Sequence, residues 1–194
     1  GGVPVAARVA EALDAPLDAF VVRKLGVPGH EELAMRAIAS GGTEVLNRQV
    51  IAGLGIPQDA IDRVVAAERL ELDRRERLYR DGRPLPLLVG ETVILVDDGA
   101  ATGASMRVAV HALRQLGARR IIAAVPVATV EAITMLDAEA DECVSLMVPE
   151  PFVGVGAWYR DFSETTDGEV RVLLTEARRR GQTLVRAPIS TSSA

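Results

Sequence analysis

Two adjacent carboxylates stand at the end of an apolar run in the stretch TVILVDDGAATGAS, residues 92–105. Val93 to Val96 are apolar, and Asp97 and Asp98 follow them directly. A continuous apolar run of this kind is typical of a strand inside a parallel sheet. Ligands of such sheets bind beyond the carboxyl ends of the strands, so both acids are predicted to face a ligand.

The loop after the two acids has the composition of a phosphate site. It consists of Gly99, Ala100, Ala101, Thr102, Gly103, Ala104 and Ser105, and a helix follows it. Small side chains let a phosphate approach the backbone N–H groups at the helix N-terminus, and two hydroxyls add donors. The carboxylates of Asp97 and Asp98 can only accept hydrogen bonds, so they suit the adjacent hydroxyl donors of a ribose. The alternative is an ordinary strand, turn and helix cap. No Walker A lysine and no GxGxxG pattern is present in this loop.

The 13 residues VILVDDGAATGAS resemble the phosphoribosyl diphosphate (PRPP) binding motif of the type I phosphoribosyltransferases. The resemblance implies that Asp97 and Asp98 contact the ribose 2- and 3-hydroxyls and that residues 100–105 hold the 5-phosphate. It also implies a Mg²⁺ ion, which the same two acids reach through water or the ribose hydroxyls. Ala101 stands where hypoxanthine-guanine members carry a catalytic Asp, which favours the adenine type. Pyrimidine, orotate and unusual acceptors remain open.

Displacement of pyrophosphate builds negative charge on the leaving group, which needs cations and backbone donors. Gly1 and Gly2 look like the end of the glycine turn that helps to bind pyrophosphate in this family. Arg23 and Lys24 resemble the basic residues of the family near pyrophosphate, and Lys24 is the single lysine beside 21 arginines. The alternative is a solvated pair that ends a strand.

The segment ERLELDRRERLYRD, residues 68–81, matches the position of the flexible catalytic loop of the family. Arg74 and Arg75 are predicted to neutralise the leaving group on closure, and Glu68 or Glu71 to accept a proton from the base. The alternative is a solvated helix face laced with salt bridges.

A cluster of aromatic residues follows near the C-terminus. Four of the six aromatics lie between residues 152 and 162, namely Phe152, Trp158, Tyr159 and Phe162. The region resembles the family's C-terminal hood, in which an aromatic ring stacks on the nucleobase. Phe152, Val153 and Trp158 are the predicted base-binding residues. The alternative is that the aromatics close a small subsidiary core.

Helical and strand-like segments alternate along the chain and position these residues. They predict an α/β fold: a Rossmann-like, three-layer parallel sheet with helices on both faces and a small hood subdomain at about 149–166. Strands are expected at 19–25, 43–51, 92–98, 120–129 and 142–148. Helices are expected at 3–13, 58–80, 104–116 and 130–140, and after residue 166. The polar stretch ELDRRERLYRDGRPLP, residues 71–86, is also a candidate mobile loop.

The bulk composition predicts one domain over residues 1–194. The polar residues at about 187–194 are expected to form a tail. A strand is also expected to be missing upstream of the first helix. The chain is 48% hydrophobic and carries a net charge of -5, which disfavours broad attraction to nucleic acid. Its one cysteine, Cys143, excludes a disulfide framework. No signal peptide or bilayer-spanning segment is recognisable, so we expect a cytoplasmic protein.

The predicted function is therefore transfer of a phosphoribosyl group from PRPP to a nitrogenous base in nucleotide salvage. A homodimer is the usual expectation for the family. A second possibility is a non-catalytic regulator that senses PRPP or a nucleotide and binds RNA or DNA. A third is a domain that serves a larger partner.

Overall fold

The computed structural model describes residues 1–27, 30–46 and 57–185. In chain order its elements are α1 (Val3–Ala12), β1 (Val22–Val27), β2 (His30–Ala39), β3 (Thr43–Leu46), α2 (Gln58–Arg80), β4 (Thr92–Val96), α3 (Ala104–Gln115), β5 (Arg120–Val127), α4 (Val130–Glu139), β6 (Glu142–Met147) and α5 (Asp167–Val185). Short 3₁₀ turns lie at Ser40–Gly42 and Val155–Trp158. In the part of the chain that is described, no helix combines the length and apolarity that crossing a membrane requires.

A parallel sheet of three strands, in the order β4-β5-β6, forms the centre of the second half of the chain. The central strand β5 alternates strictly, with Ile121, Ala123, Val125 and Val127 buried. The sheet confirms the predicted α/β fold class, but β4 is an edge of this sheet and is less buried than expected. Ile94, in the middle of β4, is 37% exposed.

The first three strands do not join the parallel sheet, which corrects the prediction for 19–25 and 43–51. They form a separate antiparallel sheet in the order β1-β2-β3. Gly41 and Gly42 have φ values of 81° and 76°, and this tight turn reverses the chain between β2 and β3. So short a connection permits only antiparallel neighbours. Residues 47–51 of the expected strand lie outside the described residues.

Helix α2 confirms the predicted helix at 58–80, and residues 71–80 therefore do not form the mobile loop that was the other candidate. Leu72 and Tyr79 on this segment are buried in one core cluster with residues of β1, β2 and α5. Ion pairs between residues three or four positions apart also support the helix. The helix ends at Asp81, which has a left-handed φ of 51°.

The helices of the second half agree with the sequence pattern. Met106, Ala109, Val110 and Leu113 are buried on one face of α3. Gly117, with a φ of 88°, follows the end of that helix, as a glycine commonly does after a helix C-terminus. Helices α3 and α4 pack together on the sheet, and α3 begins beyond the carboxyl end of β4.

Candidate active site

Asp97 and Asp98 lie immediately after the last residue of β4, as predicted. The Asp97 N–H donates to the Ala124 carbonyl at 3.3 Å, so this residue is still tied to the neighbouring strand. Burial raises the pKa of the Asp97 carboxyl, and the adjacent charge of Asp98 raises it further. The N–H groups of Asp98 and Gly2 donate to the Asp97 carboxylate and oppose that shift. A half-buried acid beside a second acid is a site that favours hydroxyl donors or a cation.

The two opening glycines lie directly against these acids. A Cβ built on Gly1 would be 1.6 Å from Oδ2 of Asp98. One built on Gly2 would be 2.6 Å from the Asp97 Cα. The structure therefore brings two of the predicted pyrophosphate residues, Gly1 and Gly2, next to the predicted ribose residues, and at Gly2 the neighbouring backbone atoms leave no space for a side chain.

The loop between the acids and α3 is anchored to the end of β5. The Ala100 N–H donates to the Val127 carbonyl at 2.9 Å, and the Thr129 N–H donates to the Ala100 carbonyl at 3.0 Å. The Thr129 hydroxyl donates to the Ala101 carbonyl at 2.8 Å and accepts from the Ala132 N–H at 3.0 Å. Sequence reasoning missed Thr129, although a Thr between a strand and a helix is a recognisable N-cap.

The same loop presents a row of backbone N–H groups that no protein acceptor satisfies. Within residues 1–27, 30–46 and 57–185, no acceptor bonds the N–H groups of Gly99, Ala101, Thr102, Gly103, Ser105 and Met106. Gly103 caps α3 with a φ of 66° and has no side chain to satisfy the first turn. Unsatisfied donors at a helix N-terminus form an anion site.

The C-terminal 3₁₀ turn closes over this loop. The Tyr159 hydroxyl donates to the Asp98 carbonyl at 2.5 Å. Val155 packs on Gly99 so closely that a Cβ on that glycine would be 2.6 Å from Cγ1 of Val155. Sequence analysis counted Tyr159 in the aromatic cluster and gave it no role.

Paired acids after a parallel strand, glycines against them and a cradle of free N–H groups match one family of proteins. The family model of the phosphoribosyl transferase domain matches residues 1–159. This chain belongs to the phosphoribosyl transferase domain family.

Relatives of this phosphoribosyl transferase domain include proteins from two strains of Mycobacterium tuberculosis that are provisionally named phosphoribosyl transferases. Each is 44% identical over 179 residues, which is 92% of this chain and 40% of the relative. The chain thus spans about 40% of the length of these relatives. The bifunctional protein PyrR of Corynebacterium diphtheriae is 28% identical over 103 residues, covering 50% of this chain and 54% of PyrR.

A solved relative supports the same fold. The crystal structure of TT1426 from Thermus thermophilus is 44% identical and superimposes with a TM-score of 0.77. The similarity covers 90% of this chain and 82% of that one.

The predicted base-binding residues lie around the 3₁₀ turn of this phosphoribosyl transferase domain. Val153 is 80% exposed and Trp158 is 39% exposed, while Phe152 is half-buried. Tyr159 and Phe162 instead contact each other, with ring centroids 5.2 Å apart. Phe162 is nevertheless 48% exposed, so solvent reaches part of this pair as well as Val153 and Trp158.

The predicted catalytic side chains are bonded to one another along α2. Arg23 donates from Nε to Glu68 at 2.6 Å, so a predicted pyrophosphate ligand and a predicted base form one ion pair. Glu71 accepts from Arg74 and Arg75, each at 2.7 Å, and these bonds lower the pKa of Glu71 to about 2. Within the described residues, none of these side chains forms a hydrogen bond or an ion pair with Asp97 or the loop after it. The side chain of Lys24 lies outside the described part of the structure.

The arginines of α2 are also linked to the start of α5. Arg74 donates to Asp167 at 3.2 Å, and the Tyr79 hydroxyl donates to the same carboxylate at 2.5 Å. Burial and the bond to Asp167 raise the pKa of Tyr79 to about 12. This side of the molecule also carries an open groove of about 500 Å³, lined by Leu70, Asp73, Arg74, Arg77, Leu78, Asp81 and Arg171.

Proposed function

We propose that this domain transfers the phosphoribosyl group of PRPP to a nitrogenous base, with release of pyrophosphate, in nucleotide salvage. One observation carries the proposal: Asp97 and Asp98 end a parallel strand beside a row of free N–H groups. Membership of the phosphoribosyl transferase family supports the reaction class. The base, the salvage role and a homodimeric assembly are parts of the proposal.

In this proposal the sugar and its phosphate occupy adjacent parts of the loop. Asp97 and Asp98 accept hydrogen bonds from the ribose 2- and 3-hydroxyls. The 5-phosphate lies on the N–H groups of the loop, with the hydroxyls of Thr102 and Ser105 as further donors. The dipole of α3 adds to the binding of the anion.

The two acids also suit a Mg²⁺ ion that arrives with PRPP. In the described residues, no group of three or more His, Cys, Asp or Glu side chains is placed to hold a metal. Mg²⁺ is commonly bound through one or two carboxylates, several waters and substrate phosphates, so Asp97 and Asp98 are a sufficient protein contribution. When bound, the ion neutralises charge on the leaving pyrophosphate.

Gly1, Gly2, Arg23 and Lys24 are the proposed pyrophosphate ligands. The backbone at the two glycines reaches the acids, which places it beside the ribose. Arg74 and Arg75 are proposed to join them when α2 rearranges and exchanges its carboxylate partners for the leaving group.

The proton released by the incoming base is proposed to pass to Glu68 or Glu71. A carboxylate with a pKa of about 2 is a weak base, so Glu71 becomes effective only after Arg74 and Arg75 leave it. Glu68 would likewise separate from Arg23. Both assignments therefore require movement of α2.

Phe152, Val153 and Trp158 are the proposed contacts of the acceptor base. Their accessibility supports this role, because a flat nucleobase gains most by covering exposed apolar and aromatic surface. Ala101 stands where hypoxanthine-guanine members carry a catalytic Asp, so this carboxylate is not available to the acceptor base. Adenine-type bases are therefore the first to be tested.

Similarity to a protein named bifunctional favours a second candidate function. In that case the domain binds PRPP or a nucleotide and regulates a partner without turnover. The two functions differ in whether PRPP is consumed.

Calorimetric titration with PRPP and Mg²⁺ tests the proposal. The unmodified protein is expected to bind, and Asp97→Asn/Asp98→Asn to lose binding. The matched control is Asp14→Asn/Asp137→Asn, which removes the same charge from two exposed positions and is expected to bind normally. Pyrophosphate release with a panel of bases then separates the two functions: release supports the transferase, and binding without release supports the regulator. Absence of PRPP binding by the unmodified protein would contradict the transferase and any regulator that acts through PRPP.

A further inference from the structure

The hood, residues 149–166, touches the chain at two successive residues, Asp98 and Gly99, where the proposed sugar-phosphate loop (residues 97–105) begins. Tyr159 bonds to the carbonyl of Asp98, and Val155 packs on Gly99. The two contacts therefore fall on both sides of a single peptide unit, the one that joins Asp98 to Gly99.

The Tyr159 ring is itself firmly held. Phe162 lies against it, and Gly156 provides the space for Phe162, since a Cβ at Gly156 would be 2.7 Å from that ring. The hydrogen bond is thus supported from the hood side by the packing of Phe162 and Gly156.

The hydrogen bond from Tyr159 fixes the orientation of the whole Asp98–Gly99 peptide group and not only of the Asp98 carbonyl. In a trans peptide the C=O and N–H groups point in opposite directions. Holding the Asp98 carbonyl toward Tyr159 therefore directs the Gly99 N–H away from the hood. That N–H is one of those without an acceptor among the described residues. The same bond limits rotation of the backbone that carries the Asp98 carboxylate.

We propose that Tyr159 is a positioning residue for the sugar-phosphate site: through the Asp98–Gly99 peptide it sets the Asp98 carboxylate and the Gly99 N–H for the ribose 5-phosphate part of PRPP. The inference rests on the proposed PRPP binding. It gives the hood a second role besides contact with the acceptor, because the hood holds the loop in place before a base enters.

Tyr159→Phe tests this, because it keeps the ring and its contact with Phe162 and removes only the hydroxyl. Affinities for PRPP with Mg²⁺, ribose 5-phosphate and pyrophosphate are measured by calorimetry. We expect binding of PRPP and of ribose 5-phosphate to weaken by the same factor, about five- to tenfold, the effect typical of one lost hydrogen bond. Pyrophosphate binding is expected to stay within about twofold, because in the described residues the Tyr159 hydroxyl bonds to the Asp98 carbonyl and to none of the proposed pyrophosphate ligands.

The second tyrosine of the chain supplies a matched control. Tyr79→Phe removes a hydroxyl that also donates at 2.5 Å, to Asp167, and it is expected to leave both sugar-phosphate affinities within about twofold, since that bond lies away from the loop. Melting temperatures are recorded for all variants.

Two results would overturn the assignment. Unchanged affinities in Tyr159→Phe would show that the hydroxyl does not position the groups that bind the ligand. An equal loss for PRPP, ribose 5-phosphate and pyrophosphate, together with a lower melting temperature, would show a structural role alone. If the unmodified protein binds no PRPP, the proposed function fails and this inference fails with it, which distinguishes that case from the other two.

Discussion

The main chain at Gly2 lies directly against the main chain at Asp97. A Cβ on Gly2 would be 2.6 Å from the Asp97 Cα and 2.7 Å from the Val96 carbonyl oxygen. Both are backbone atoms, which cannot swing aside as the end of a long side chain can. Gly2 has helical backbone angles, with φ -64° and ψ -19°, so it is required for space and not for conformation.

Gly2→Ala is therefore expected to push the start of α1 away from Asp97 and to weaken PRPP binding by roughly a hundredfold, the scale of a 1 Å misplacement in a site. Calorimetry with PRPP and Mg²⁺ measures it. Gly181→Ala is the control, because a Cβ there would have no atom within 4 Å and the position is helical. Normal PRPP affinity in Gly2→Ala would mean that this contact does not shape the site.

Asp97 is expected to lower the stability of the free protein. Its pKa in the folded state is raised above the ordinary value of 3.8. Above that pH the charged carboxylate therefore lowers the free energy of unfolding. Asp97→Asn should therefore raise the melting temperature at pH 7. The gain should disappear below about pH 3.8, where the carboxyl is protonated in both states.

The same variant should lose its response to ligand. PRPP with Mg²⁺ raises the melting temperature of any protein that binds it in the folded state only. Thermal scans at about pH 3 and about pH 7, with and without ligand, check both expectations. A lower melting temperature of Asp97→Asn at pH 7 without ligand would contradict the burial argument.

The position of the loop between β4 and α3 could be predicted because its parts are contiguous in the chain. Asp97 to Ser105 occupy one strand end, one loop and one helix start, so periodicity and local chemistry are enough to place them. The contact of Tyr159 with Asp98 joins residues 61 positions apart, and no local pattern indicates it.

The antiparallel sheet was missed because local preference and tertiary pairing disagree. His30–Ala39 contains Glu, Leu, Ala and Met, which favour helix, yet the segment pairs with strands on both sides. For α2 the apolar spacing predicted a helix over 58–80, and the polar second half left a mobile loop as the other candidate. The burial of Leu72 and Tyr79 decides for the helix, and that burial depends on α5 and the antiparallel sheet.

Arg74 is expected to control both the charge of Glu71 and the departure of pyrophosphate. The folded pKa of Glu71, about 2, lies below its ordinary value of 4.5. This pair therefore stabilises the fold above about pH 4.5, and the contribution is lost as the pH falls toward 2. In Arg74→Ala the pKa of Glu71 should move back toward 4.5, as carboxyl NMR titration would detect.

Arg74→Ala should also slow pyrophosphate release by about a hundredfold if the arginine stabilises charge on the leaving group. Arg69→Ala is the control on the same helix, because Arg69 pairs with Glu44 and not with Glu71. If Arg74→Ala shifts the pKa of Glu71 but leaves turnover normal, Arg74 acts only in the structure of α2.

The contact between Val155 and Gly99 offers an independent probe of how the hood meets the loop. A Cβ on Gly99 would be 2.6 Å and 2.8 Å from the two methyl groups of Val155, and 3.1 Å from the Val127 carbonyl oxygen. Gly99→Ala should therefore displace the hood and weaken PRPP binding about tenfold or more, since such a shift also strains the bond from Tyr159.

Removing the obstructing methyl groups should restore much of that loss. In Gly99→Ala/Val155→Ala the new methyl group occupies space that Val155 vacates, so PRPP affinity is expected to recover to within about threefold of Val155→Ala alone. A double-mutant cycle on PRPP affinity gives the coupling between the two positions. Additive losses would locate the effect of Gly99→Ala at the Val127 carbonyl, because that contact is independent of the hood.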